Sequence, residues 1–240
     1  KDPKNVGSYF GYIDEAQYVA GIVAGHSTKS GKLGFVAAKP IPQLLRNVNA
    51  FLLGARLAKP DATLQVIFTG DWSMPVKEAE ATNSLIDAGV DVVTCHVDGP
   101  KTVMENAARR GAMISGYHVN AAPLAPEAYL TGAEWNWEAI YPKFVKMFTS
   151  GETIPNFYRG GLKEEIVKLS PYGPKVSEQA RKHADEVKAK LMTGSYVMYK
   201  GPIKDNKGNT VIAAGAEQAT TAPELESMNY LVEGVIGSTS

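Results

Sequence analysis

Cysteine is nearly absent from the 240-residue chain, which holds only Cys95. One thiol excludes an intrachain disulfide and a zinc site built from cysteines. It leaves the compartment open, since a chain without disulfides suits the cytosol and a periplasmic protein of this size needs none either. Net charge is absent too, with 25 basic residues against 25 acidic ones. That balance, and the lack of a dense basic run, argue against a nucleic-acid partner or an anionic membrane surface. Long apolar runs are also missing, and none approaches the roughly 20 residues of a membrane span. No secretory signal is read at the start. Lys1-Asp2-Pro3-Lys4-Asn5 reads instead as a polar lead-in, as if the chain were an internal segment of a longer protein.

What is present is a repeating unit. Apolar runs at 64–68, 90–93 and 112–115 read as strands, the first as a central one, and the segments 76–88 and 100–110 between them carry helical periodicity. Upstream, 8–24 reads as a helix, 32–38 as a buried strand and 43–58 as a helix with Leu44, Leu45, Val48, Phe51, Leu52 and Ala55 inward. Downstream come an irregular proline-rich stretch at 121–126, a strand at 129–134 and an amphipathic helix at 135–150 ended by Gly151. Residues 156–169 are strand-rich, and 177–192 reads as a helix capped by Ser177 and closed by Gly194. A hairpin is expected over 200–214, and the tail after Gly215 is weakly patterned. At this length the pattern predicts one large or two smaller α/β domains.

Each of the three runs ends in a polar, aromatic cluster. These are Thr69-Gly70-Asp71-Trp72, Thr94-Cys95-His96-Val97-Asp98 and Gly116-Tyr117-His118-Val119-Asn120. Strands joined through helices are parallel, so the clusters emerge at one carboxyl edge, where open α/β sheets hold ligands. Trp72, between Gly70 and Pro75, can offer a flat apolar surface; its structural alternative is packing on the next helix. His96 and Asp98 alternate along one run and point to the same side. A carboxylate accepts hydrogen bonds while an imidazole donates or accepts, although Asp98-Gly99-Pro100 also suits a helix start. Tyr117, His118 and Asn120 are further candidates, and Glu134 and Trp135 end the next strand within reach. Trp137 reads as core. The connector Gly25-His26-Ser27-Thr28-Lys29-Ser30-Gly31 lacks the glycine-lysine-serine order of a phosphate loop.

Several stretches resemble one family. They are Asn5-Val6-Gly7-Ser8-Tyr9-Phe10-Gly11, Tyr18-Val19-Ala20-Gly21-Ile22-Val23-Ala24-Gly25 and Lys32-Leu33-Gly34-Phe35-Val36. With them go Pro75-Val76-Lys77-Glu78, Leu85-Ile86-Asp87-Ala88-Gly89-Val90-Asp91-Val92-Val93 and Leu124-Ala125-Pro126-Glu127-Ala128-Tyr129-Leu130-Thr131. From about residue 5 to at least 203 the chain is similar to the basic membrane protein family of ABC-transporter solute-binding lipoproteins. The resemblance implies a type I periplasmic-binding fold, two doubly wound α/β lobes of parallel sheet joined by a hinge, with the first lobe incomplete here. It implies a connecting helix over 1–29, the second lobe over 30–128, hinge and return segments over 129–200, and a hairpin and tail over 201–240. The returning helix would then carry an apolar face without its sheet.

The same resemblance implies a binding protein and not an enzyme, without cofactor or nucleic-acid partner. Such a protein is a monomer, lipid-anchored in the periplasm or on the outer face of the cytoplasmic membrane, that passes a purine to a membrane permease. Trp72 falls where members stack on the purine. Nucleoside binders place a glycine-hydrophobic-aspartate sequence where this chain has Gly116-Tyr117-His118, and an imidazole cannot accept two ribose hydroxyls. A free base such as adenine, guanine or hypoxanthine is therefore expected, with a nucleoside as the alternative. Two rivals come from other classes. One is a metal-dependent hydrolase with His96, Asp98 and His118 as ligands; the other is the effector-binding core of a transcription repressor.

Overall fold

Short apolar runs cannot satisfy their own backbone groups and so pair laterally, while the amphipathic segments between them coil and cover the sheet. A computed structural model describes residues 7–239, so the polar lead-in lies outside the described residues. The chain begins β1 (Ser8–Gly11), α1 (Ile13–Ser27), β2 (Lys32–Ala37), α2 (Pro42–Arg56), β3 (Thr63–Phe68) and α3 (Pro75–Asp87). It continues with β4 (Val92–His96), α4 (Lys101–Arg109), β5 (Met113–His118), a 3-10 turn at Ala122–Leu124, and β6 (Tyr129–Trp135). Then follow α5 (Trp137–Ser150), β7 (Phe157–Gly160), β8 (Val167–Leu169), α6 (Glu178–Thr193) and β9 (Tyr199–Lys200). The chain ends in β10 (Ile203–Lys204), β11 (Thr210–Ile212), β12 (Glu217–Gln218), α7 (Pro223–Glu226) and β13 (Val235–Ile236).

One seven-stranded sheet has the order β13-β3-β2-β4-β5-β6-β8, parallel except for β8. β1 and β7 pair in parallel as a separate ribbon. α1 and α2 pack backbone to backbone. A Cβ on Gly54 would lie 2.0 Å from the Tyr18 carbonyl, and one on Gly21 2.2 Å from that of Phe51. The expected caps form: Ser177 Oγ accepts from the Ala180 N–H at 3.2 Å, and Gly151 and Gly194 end their helices in the left-handed region. α5 buries only Ile140, and Tyr141, Val145 and Phe148 stay exposed. Among the described residues no helix is long and apolar enough to cross a membrane.

Four expectations are corrected. The helix expected over 8–24 begins only at Ile13, because residues 8–11 are drawn into pairing with β7. The strand at 64–68 is not central: β2 inserts between β3 and β4. The third run extends through Gly116-Tyr117-His118, since β6 pairs with it as far as His118 opposite Glu134. The tail returns as β13 beside β3, a strand too short to show a period.

Candidate functional site

Strand order decides where the connections part. The chain leaves β2 for β3 on one side and reaches β4 on the other. Right-handed crossovers then place α2 on one face and α3 and α4 on the opposite face. The carboxyl ends of β2 and β4 therefore bound a crevice, the position at which doubly wound sheets bind ligands. His96 is the last residue of β4, and Asn47 lies on the helix that follows β2. Their side chains meet there, with Asn47 Nδ2 2.7 Å from His96 Nδ1.

The loop after β3 folds back over the end of β2. Thr69 and Gly70 donate their N–H groups to the Ala37 and Ala38 carbonyls at 2.8 and 3.0 Å, and Gly70 takes φ +92 at the bend. Asp98 N–H then donates to the Trp72 carbonyl at 2.8 Å, stitching the loops after β3 and β4 together. This carries the half-buried Trp72 indole to 5.8 Å from the His96 ring, although their strands are not neighbours. At the rim Asp71 pairs with Lys39 at 3.0 Å and accepts from the Trp72 N–H.

The rings continue inward. His96 packs on Tyr117 at 4.4 Å and lies 6.4 Å from His118. Trp135 Nε1–H donates to His118 Nδ1 at 3.0 Å. Trp135 stacks on Trp137 and Trp137 on Tyr141, so a ladder of rings leads from the crevice to α5. His118 has φ +73, a conformation that costs a non-glycine residue about 1–3 kcal/mol unless its surroundings fix it. The bond from Trp135 is such a constraint.

Burial sets the charges. His96 is 5% exposed, and desolvation, followed by the neighbouring His118, lowers its pKa from 6.5 to about 3. Its imidazole is neutral at any ordinary pH. Burial also lowers His118, against the opposing pull of Asp98 and the Val97 carbonyl. Tyr117 is fully buried, its phenol pushed up by desolvation; it has no surface to offer a ligand and serves as a floor under His96. Asp98 is exposed on the rim. Asn120 Oδ1 accepts from the Ala122 N–H at 3.0 Å, capping the 3-10 turn. Glu134 accepts from Ser170 Oγ and lies 3.8 Å from Lys168.

Over residues 1–201 the chain matches the Bmp family, described as ABC transporter substrate-binding protein PnrA-like. The chain belongs to the Bmp family. A purine-binding protein from Brucella abortus (strain 2308) is 31% identical over 235 residues, which cover 98% of this chain and 66% of that protein. An ABC transporter glucose-binding protein of Haloferax volcanii, TsgA13, is 30% identical over 234 residues, covering 98% of this chain and 56% of its own. This Bmp-family chain thus spans less than two thirds of the length of either relative. A transcriptional activator of the comK gene from Bacillus halodurans has the same fold, with a TM-score of 0.74 at 23% identity over 81% of this chain and 68% of that one.

The family is described by ABC transporter substrate binding and not by an enzymatic activity. The hydrolase rival finds no support in the geometry either. Among the described residues no three His, Cys, Asp or Glu side chains gather to hold a metal ion. Two features of this candidate crevice escaped the sequence reading. One is Asn47; its signal was a polar run, Arg46-Asn47-Val48-Asn49, in a helix buried on most sides. The other is the His118–Trp135 bond, for which sequence carries no signal.

Proposed function

We propose that the protein is the solute-binding component of an ABC importer and captures a purine base in the crevice at the ends of β2 and β4. The observation that carries this reading is the Trp72 indole, held at the mouth by stitched loops with the neutral His96 5.8 Å behind it. A flat heteroaromatic ring stacks on Trp72, an edge of it meets His96, and Asp98 accepts N–H groups at the rim. Trp135 borders the crevice on the side of β6, while Tyr117, His118 and Asn120 shape it from beneath and beside. The first lobe would close from the side of β1, β7 and α5, and the closed form would be what a membrane permease recognises. The protein works as a monomer outside the cytoplasmic membrane, as a periplasmic or lipid-anchored receptor.

The relative named for purine binding supports a purine, and the imidazole at position 118 argues against a ribose contact there. A nucleoside remains the second reading because Asp98 is an exposed carboxylate at the same rim. Calorimetry with hypoxanthine, adenine, inosine and glucose separates these ligands. Stacking on an aromatic side chain is worth about 1–3 kcal/mol, so Trp72→Ala is expected to weaken purine binding by about 5- to 150-fold. Unchanged affinity removes the stacking role, and tighter binding of inosine or glucose than of any free base overturns the purine-base reading.

A further inference from the structure

Asn47 has no exposed surface, yet it directs an amide group at His96 Nδ1, 2.7 Å away. A neutral imidazole carries one N–H and one lone pair, so the nitrogen that faces a donor must accept, and the proton sits on the other. Nδ1 faces the Asn47 amide N–H and accepts from it. The hydrogen is then on Nε2, the ring nitrogen that does not face Asn47. The ring cannot turn freely, being packed on Tyr117 and flanked by Trp72 and His118.

We propose that Asn47 is a positioning residue that locks His96 as a neutral Nε2–H donor, so the molecule lying on Trp72 must turn a hydrogen-bond acceptor, a ring nitrogen or an oxo group, towards residue 96. Its ligand rests on the purine-base reading; the state of the ring does not. A ligand that presented an N–H at this point would set donor against donor, and one that presented a C–H would cover the N–H without pairing it. Either is rejected more strongly than an apolar pocket rejects a misfit of similar size. Ionisation of the ring is blocked as well, because a second proton on Nδ1 would oppose the Asn47 N–H. Burial already holds the ring neutral, and of the groups around it His118 disfavours a second positive charge.

The test has two arms. In the first, the unliganded protein is labelled with 15N and the His96 ring, identified against His96→Gln, is read in a long-range 1H–15N spectrum. The expected pattern is the Nε2–H form, unchanged between pH 8 and pH 5. A proton on Nδ1 means that the amide faces the other way and overturns the proposal, as does titration of the ring within that range. In the second arm, Asn47→Asp offers Nδ1 an acceptor in place of a donor and should move the proton to Nδ1. Hypoxanthine affinity is then expected to fall about tenfold or more, whereas Asn47→Leu, which removes the bond without inverting it, should cost less. Equal affinity of wild type and Asn47→Asp overturns the proposal. Should hypoxanthine fail to bind the wild type, the purine-base reading falls, and the spectrum of the free protein still decides the role of Asn47.

Discussion

Arg46→Met is expected to lower the free energy of unfolding by about 3–5 kcal/mol, measured by urea denaturation at pH 7. Arg46 and Asp14 are each 2% exposed. Arg46 Nε and Nη2 donate to Asp14 Oδ2 at 3.0 and 2.8 Å, and Tyr199 donates its hydroxyl to the same oxygen at 3.2 Å. Nη2 also donates to the Thr220 carbonyl at 2.9 Å, and the guanidinium lies 4.8 Å from the centre of the Tyr12 ring. Burial works against the guanidinium's charge, and Asp14, Tyr199 and Tyr12 together more than offset it. The cluster ties α1, α2, β9 and the tail together. Methionine fills much of the same volume but leaves Asp14 as a buried carboxylate without its cation, the costly way to break such a pair. Arg46→Met with Asp14→Leu should recover most of the loss. A single-variant loss below about 1 kcal/mol would remove the pair as the tie among these elements.

Glu15→Gln should do the opposite and stabilise the protein at alkaline pH. Glu15 Oε2 accepts from the Leu162 N–H at 2.8 Å, linking the start of α1 to the chain between β7 and β8. Desolvation, with smaller contributions from Asp14 and Glu164, raises the carboxyl from 4.5 to about 7 despite the bond from Leu162. The folded state thus holds a proton between about pH 4.5 and 7 that the unfolded chain has released. Stability from this group is therefore full below pH 4.5 and is lost as pH rises to about 7. Glutamine keeps the acceptor without the charge, so the variant should gain about 2–3 kcal/mol at pH 8 and nothing below pH 4.5. Urea denaturation across that range checks it, and a difference independent of pH would show that Glu15 does not titrate as described. His96 contributes a slope of the opposite sign. Its depressed pKa gives stability that is present above pH 6.5 and is lost as pH falls towards 3, so the comparison must be between variant and wild type at each pH.

Much of the candidate site's layout was legible because its parts are local. Trp72 follows β3 through Gly70, His96 ends β4, and Trp135 ends β6, so each was readable from an apolar run and its punctuation. Tyr117 was read as a contact and proves to be floor, because the strand that bears it runs on to His118 and carries its phenol under the His96 ring. Asn120 lies at the same edge, but its side chain serves the turn that follows. Asn47 was unreadable as a partner of His96, since 49 residues separate two groups whose distance is fixed by neither sequence nor period.

Sequence alone determined the alternation of helix and strand, the caps at Ser177, Gly151 and Gly194, the parallel sense of the sheet and the edge at which its polar clusters appear. Those follow from period, turn chemistry and the handedness of crossovers, which act within a few tens of residues. Tertiary structure decided that β2 lies between β3 and β4, that β13 closes the far edge, and that Trp72 crosses over β2 to face His96. Strand neighbours are chosen by burial and pairing between segments far apart in the chain, and the crevice exists only where that choice splits the connections to opposite faces.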